Sequence, residues 1–306
     1  MNILVTGGAG FIASNITDEL IKKGHRVIIV DNLSSGRKQN INPKSIFYKI
    51  DITDPAIEKV FKKHKIDVMC HHAAQIDIRI SVNDPIFDAK SNILGSINLL
   101  QNCIKYKVKK VIFASSGGAV YGEVKGLGAK EAEKVDPLSP YGVAKESIER
   151  YIRYYSYTFG LDFTILRYGN VYGERQDPHG EAGVVAIFTG LMLAKKQPFI
   201  FGDGGQIRDY VYVGDVVRAN LFALNKAKNQ IINIGTGKGT SVSSLYEKLN
   251  RITGFNKKAK HQPKRKGELM RSVLCISKAK SVLGWQPKTG IDEGFRRTVE
   301  YFRKGK

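Results

Sequence analysis

The first fourteen residues, Met1-Asn-Ile-Leu-Val-Thr-Gly-Gly-Ala-Gly-Phe-Ile-Ala-Ser14, constrain this chain more than any other stretch. A short β-rich run, Ile3 to Thr6, empties into glycines and then into a helix-like segment, Ser14 to Lys23. That is a strand–tight turn–helix unit. Gly7 and Gly10 let the chain turn sharply and let a pyrophosphate come close to backbone N–H groups at the helix N-terminus. Ala13 stands where the pattern has its third glycine, and it is small enough for close helix–strand packing. On its own such a turn is a weak sign of dinucleotide binding, because short glycine patterns recur in unrelated chains.

The following segments supply the context. Arg26 to Val30 reads as a second buried strand closed by Asp31, 21 residues after Gly10. A carboxylate at that distance accepts hydrogen bonds from adenosine ribose hydroxyls and repels a 2′-phosphate, so NAD is preferred over NADP; the nearby Arg37 argues the other way. Ile46 to Ile50 is a third strand leading to Asp51-Ile52, and Val68 to Ala74 a fourth. Asp84-Pro85 opens a helical pattern running to Tyr106, with Ile93, Leu94, Ile97, Leu100 and Ile104 three and four apart. Lys110 to Ser116 is a fifth strand. Strands alternating with helical patterns predict an α/β chain with a Rossmann-type, doubly wound parallel sheet, and ligands gathered at the strands' carboxyl ends.

Composition narrows the class. At 306 residues, 42% hydrophobic and 25% charged, the chain has the material for a large core and the balance of a soluble globular protein. No apolar run nears the roughly 20 residues that span a bilayer, so no membrane contact is expected. The chain starts at once with a strand, and no secretory signal is visible. Three scattered cysteines, Cys70, Cys103 and Cys275, suit a reducing cytoplasm. His71 and His72 have no third ligand at metal spacing, so they read as structural and no metal is expected. The basic residues behind the net charge of +21 are spread along the chain, the densest groups (105–110, 256–266 and 296–306) are short, and none makes an aromatic-interleaved strip of the kind single-stranded nucleic acid uses. The charge reads as a solvated surface rather than a specific nucleic-acid site.

The most informative chemistry follows the fifth strand. Ser115-Ser-Gly-Gly-Ala-Val-Tyr-Gly122 leads through a loop to Pro137-Leu-Ser-Pro-Tyr-Gly-Val-Ala-Lys145. Pro140 fits a helix start, which puts Tyr141 and Lys145 on one face, one turn apart. A free tyrosine, with a pKa of about 10, is a poor base at neutrality. A lysine ammonium one turn away favours its phenolate. Ser116, ending the strand, is placed to hydrogen-bond the same substrate hydroxyl.

These motifs together resemble the extended short-chain dehydrogenase/reductase family, and within it the UDP-glucose 4-epimerase group. The resemblance covers nearly the whole chain. It rests on Thr6 to Ile12, Asp31-Asn-Leu33, His72-Ala-Ala74, Ser115-Ser116 with Val120-Tyr-Gly122, Tyr141-x-x-x-Lys145 and Leu166-Arg-Tyr-Gly-Asn-Val-Tyr-Gly173. It continues through Gly202 to Tyr210 and Asn233-Ile-Gly235. It implies Tyr141 as proton acceptor, Lys145 as its partner on the nicotinamide ribose, and Ser116 as the third catalytic residue. The family's commoner spacing back from Tyr121 lands on Gly117, so the Ser116 assignment assumes a one-residue bulge at Gly117-Gly118. The same resemblance places NAD against Gly7, Gly10, Phe11, Ile12, Asp31, Asn32, Asp51, Ile52, Ala73, Ala74, Gln75, Asn92, Tyr141, Lys145 and Tyr168. It places a UDP-sugar against Ser116, Tyr141, Asn170, Arg208, Arg265, Glu268 and Ser272.

By the same token, residues 1–170 form the NAD-binding domain, with a segment near 211–235 returning to it, and 171–306 a smaller α/β nucleotide-sugar domain. Arg265-Lys-Gly-Glu268 resembles a uridine- and diphosphate-holding element with Lys266 in place of proline. Ser272 falls where a small residue leaves room for an N-acetyl group on the hexose. The implied reaction is an oxidation and reduction in place at sugar C4, through a 4-keto intermediate. Gly117-Gly118-Ala119 carries no acid of the kind that dehydratases and decarboxylases on this scaffold use. A UDP-glucuronate 4-epimerase is the alternative, with Arg79, His179 or Arg271 meeting a carboxylate. A non-catalytic NAD-sensing or nucleic-acid-binding relative is the alternative of another class. The family habit implies a homodimer through residues 84–106 and 141–159, where Tyr151, Ile152, Tyr154, Tyr155 and Phe159 offer apolar surface.

Overall fold

The structure is a computed structural model that describes residues 1–178, 183–265 and 268–305. His179 and Lys266, singled out above, lie outside the described residues. The chain begins with β1 (Asn2–Thr6), α1 (Phe11–Lys22), β2 (Arg26–Asp31), β3 (Ile46–Lys49), α2 (Glu58–Lys63) and β4 (Val68–His71). Then come α3 (Ile78–Asn83), α4 (Pro85–Ala89), a π-helical segment (Lys90–Leu94), α5 (Gly95–Lys105) and β5 (Lys110–Ser116). Next are α6 (Gly117–Val120), α7 (Pro140–Phe159), β6 (Asp162–Tyr168), β7 (Asn170–Tyr172), α8 (Val184–Leu193), β8 (Phe199–Phe201) and β9 (Ile207–Tyr212). The chain closes with α9 (Val213–Ala223), β10 (Gln230–Ile234), β11 (Gly239–Ser241), α10 (Val242–Thr253), β12 (Lys260–Gln262), β13 (Arg271–Ser272) and α11 (Ile291–Lys304).

Seven strands make one parallel sheet in the order β10-β6-β5-β4-β1-β2-β3. Being covered on both faces, its strands are mostly apolar. Ile3, Val5, Ile29, Ile112, Leu166 and Ile232 face one buried layer with Ile16, Leu20, Val216 and Trp285. Leu4, Ile28, Met69, Phe113 and Ile165 face the other with Leu99, Cys103, Ile148 and Ile152. The strand order reverses between β1 and β4, and an open parallel sheet binds ligands at such a reversal.

A second, four-stranded sheet is built around β9. Its first half lies between β11 and β13, and its second half pairs with β7. Buried Asp209 pins it, accepting from the Thr236 hydroxyl and backbone N–H (2.6 and 2.7 Å) and from the N–H groups of Gly237 and Leu274 (3.0 and 3.3 Å). A third core, with Phe188, Tyr246, Leu249 and Phe295, packs α8, α10 and α11 beneath this sheet.

Three sequence expectations change. The helix expected from Asp84 to Tyr106 is interrupted by the π-helical segment, where the Asn92 side chain leaves its helix to clamp the Gln75 backbone. The fourth strand ends at His71 rather than Ala74, because the Thr6 hydroxyl takes the N–H groups of His72 and Ala73 at 3.2 and 3.1 Å. No bulge forms at Gly117-Gly118. β5 stays in register with β6 through the Ser116–Tyr168 pair, and the extra residue is absorbed in the helical turn α6. Gly117 packs on the end of the Leu274 side chain, which a Cβ there would approach to 2.8 Å.

Candidate active site

The glycine turn sits at the strand-order reversal. Gly7 adopts a left-handed φ of +70°, and a Cβ there would lie 2.8 Å from the backbone nitrogen of Ala73. Two backbones thus pass at a separation that only glycine permits. Gly10 caps α1 without any side-chain hydrogen bond, and a Cβ on it would press on the Gly7 carbonyl at 3.1 Å. The first turn of α1 therefore presents N–H groups that no cap has claimed, a good fit for a pyrophosphate.

Asp31 closes the adenosine side. Its oxygens accept from Ala9 N–H (3.0 Å) and Leu33 N–H (2.8 Å), so each keeps a lone pair for a ribose hydroxyl. Burial pushes its carboxyl upward, and the two backbone donors pull it back. Arg37 pairs with Asp177 at 2.8 Å. Asn32 donates to Asp51 at 2.7 Å; despite burial, Asp51 is held below the usual carboxylate range by Thr53 and Asn32. Ile52 is buried against Gly95. Gln75 is gripped by the amide of Asn92 on its backbone and by Asp88 on its side chain at 3.0 Å. Tyr168 receives a hydrogen bond from Asn220 (2.8 Å) and meets His72 Nε2 at 3.2 Å. His71 is held between Thr6 and Ser96, both at 2.8 Å, as a buried structural histidine. The NAD candidates thus line up along and just beyond the carboxyl ends of β1 to β6, and the cradle suits a dinucleotide.

Helix α7 starts where sequence reasoning puts it, with Pro140 in its first turn and Ser139 accepting from Gly142 N–H at 3.1 Å. Gly142 packs on the Ala119 carbonyl, where a Cβ would approach to 2.7 Å, so the helix start is seated on α6. Lys145 is buried, donates to the Ala114 carbonyl at 2.9 Å, and sits 5.7 Å from the centre of the Tyr141 ring. Burial lowers its pKa to about 8, with Asp88 and Glu149 opposing the shift. Gly118 marks where the sugar-side residues converge. A Cβ there would find Asn170 Oδ1 at 3.7 Å, and Ser116 Oγ and Ser272 Oγ each at 3.9 Å. Three polar groups from β5, β7 and β13 therefore ring a position with no side chain.

Arg208 is the register partner of Ser272 and shares its face of the small sheet. Its guanidinium donates to the carbonyls of Ile207 and Leu269. Arg265 stacks on Phe201 at 3.7 Å, and Glu268 accepts from Gln206 at 3.0 Å. Arg79 is paired with Asp77 on the surface, and Arg271 turns to the Gly126 carbonyl at 3.0 Å. Of the residues read as interface, Ile152 and Tyr155 belong to the chain's own core, while Tyr151, Tyr154 and Phe159 stay exposed.

Asp88, Tyr121, Glu149, Arg167 and Asp209 are buried polar residues to which the sequence assigned no role. Tyr121, Arg167 and Asp209 lie inside the motifs quoted above, and Glu149 is a carboxylate one helical turn beyond Lys145.

Residues 3–235 match the NAD dependent epimerase/dehydratase family. The chain is 43% identical over 309 residues to a UDP-glucose 4-epimerase of Mycolicibacterium smegmatis, covering 99% of both chains. It superposes on a UDP-glucose 4-epimerase of Thermotoga maritima solved with UDP-glucose (TM-score 0.99, 54% identity, 100% and 99% coverage). It also superposes on a UDP-glucose 4-epimerase of Thermus thermophilus in complex with NAD (TM-score 0.95, 43% identity, 99% of both chains).

Replacing Gly7 with alanine forces a side chain into the left-handed region and against Ala73. Denaturant unfolding should show a loss of about 1–3 kcal/mol. The extra stability conferred by added NAD should shrink as well. Unchanged stability and an unchanged NAD effect would contradict the cradle.

Proposed function

The chain belongs to the NAD dependent epimerase/dehydratase family, and we propose that within it the protein is a UDP-sugar 4-epimerase interconverting UDP-glucose and UDP-galactose. The observation that carries this reading is the seating of Tyr141 and Lys145 at the end of β5, beside a pocket ringed by Ser116, Asn170 and Ser272 with no acid at Gly118. Residues 1–170 with the returning segment 211–235 hold NAD, and the rest of 171–306 holds the nucleotide sugar. We place the enzyme in the cytoplasm, its buried free Cys70 and Cys103 suiting reducing conditions.

In this reading Tyr141, as phenolate, takes the proton from sugar O4, and the Lys145 ammonium stabilises that phenolate. Ser116 holds the same oxygen, and Asn170 contacts the nucleotide sugar beside it. NAD held in the cradle would supply the hydride acceptor for sugar C4 and the donor for its return. Arg208 and Arg265 supply charge for the diphosphate, where planar guanidinium donors fit well, and Glu268 stands beside them. With the diphosphate gripped and the hexose touched only by small polar groups, the 4-keto sugar is free to turn over. The exposed Ile86, Phe87, Tyr151, Tyr154 and Phe159 support a homodimer through α4 and α7, which sedimentation at micromolar concentration checks; a monomer alone would remove it.

Purified protein should convert UDP-galactose to UDP-glucose without added oxidant, and Tyr141→Phe should lower kcat by roughly 100-fold or more. No conversion of any UDP-sugar by the wild type would sink the proposal. The pH profile follows from Lys145. Its folded pKa of about 8 lies below the ordinary lysine value, so the fold binds fewer protons than the unfolded chain above that pH. Carrying the ammonium therefore costs stability below about pH 8, and that cost is relieved as pH rises, while the catalytic charge is lost. The kcat should fall as pH rises through about 8, and a rate that keeps rising to pH 10 would contradict the assigned role of Lys145.

Ser272 is buried and small, which favours acceptance of UDP-N-acetylhexosamines as well. Comparing kcat/KM on UDP-GlcNAc and UDP-glucose should show turnover of both, with Ser272→Tyr losing the first selectively. Wild-type inactivity on UDP-GlcNAc would overturn this.

A further inference from the structure

One turn beyond Lys145, on the same face of α7, lies a second buried charge. The Glu149 carboxylate accepts from Ser115 Oγ at 2.5 Å, Arg167 Nε at 2.9 Å and Arg167 Nη2 at 2.6 Å. The two charged side chains are only 4% and 5% exposed. The remaining guanidinium nitrogen, Nη1, donates to Tyr121 Oη at 2.8 Å, and that hydroxyl donates to Asn233 Oδ1 at 2.8 Å. The Asn233 amide in turn donates to the carbonyls of Ala129 (2.9 Å) and Cys275 (3.1 Å), and its backbone N–H donates to Glu131. An unbroken line of hydrogen bonds thus runs from α7, through β5 and β6, to β10 and to the segment that continues from Ser272.

Holding the fold together does not account for this line. β5 and β6 are already paired over seven residues, and α7 already buries Ile148, Ile152 and Tyr155 against the sheet. A buried ion pair of this kind is commonly no more stabilising than well-packed apolar residues of the same volume. What it adds is fixed geometry, since a bidentate carboxylate–guanidinium pair leaves neither partner free to rotate. Its two ends are the helix that carries Tyr141 and Lys145 and the wall that carries Ser272.

We propose that Glu149, Arg167, Tyr121 and Asn233 form a positioning truss that fixes the base on α7 relative to the sugar-side wall, and that turnover depends on it. The inference rests on the 4-epimerase reading. A keto sugar that must be presented twice, once on each face, is more sensitive to such a distance than one held in a single pose.

Tyr121→Phe tests it. The ring stays in its core of Val120, Val124 and Leu274, and only the oxygen joining Arg167 to Asn233 is lost. The expected result is a fall in kcat of about 10- to 100-fold. The KM for UDP-galactose should stay within about twofold of the wild type. More 4-keto sugar should escape to solvent per turnover, where borohydride traps it. Ser115→Ala, which removes one of three donors to Glu149 and keeps the ion pair, should give the same pattern more weakly and serves if Tyr121→Phe does not fold. Wild-type kcat and keto-sugar release in the folded variants would overturn the truss, even with a lower Tm. A wild type inactive on every UDP-sugar would instead overturn the functional reading beneath it.

Discussion

Strands β1 and β4 are neighbours in the sheet, although their paired ends, Thr6 and His71, lie 65 positions apart in the chain. Their junction delivers the Gly7 backbone and the Ala73 backbone to one place, 2.8 Å from where a Cβ on Gly7 would sit. The hydroxyl of Thr6 completes the junction by taking the N–H groups of His72 and Ala73, which ends β4 and turns its continuation across the glycine loop. The uncapped start of α1, the Asp31 carboxylate and the Asn92–Gln75 clamp are arranged around that crossing. A sheet without the reversal of strand order would have the same core and no such crevice.

Buried charge does the rest. Lys145, Glu149, Arg167 and Asp209 are each almost inaccessible, and each is held by several hydrogen bonds or an opposite charge. Their common effect is to make the meeting of two halves specific. Asp209 locks β9 to the turn after β10 and to Leu274, while the Glu149–Arg167 pair locks α7 to β5 and β6. The polar pocket at Gly118 draws its residues from β5, β7 and β13. Catalysis by a weak base such as tyrosine depends on that kind of fixed placement more than on any single strong group.

Much of this was legible in the residues themselves, for identifiable reasons. Most strands of the parallel sheet are covered on both faces, so they read as largely apolar runs and their boundaries hold within one to three residues. Helical spacing alone puts Tyr141 and Lys145 on one face, and it is the family resemblance that gives the pair its proposed role. What stayed hidden depends on partners distant in sequence. β13 is two residues long, and β9 carries Arg208 and Asp209 within its run, so only their pairing defines them. Helix α11 buries a thin stripe of Gly294, Phe295, Thr298 and Val299 beneath a charged surface, too little apolar content to stand out. The turn α6 stands where a bulge was expected, and Leu274, far along the chain, packs beside its Gly117. Ile152 and Tyr155 look like interface residues until the core they enter is seen.

The central claim is that the sugar is oxidised and reduced at C4 without leaving the site. UDP-galactose carrying deuterium at C4, incubated with the purified protein in ordinary water, tests it most directly. The account predicts UDP-glucose that keeps the deuterium at C4. Product that has exchanged its C4 deuterium for solvent hydrogen would contradict it.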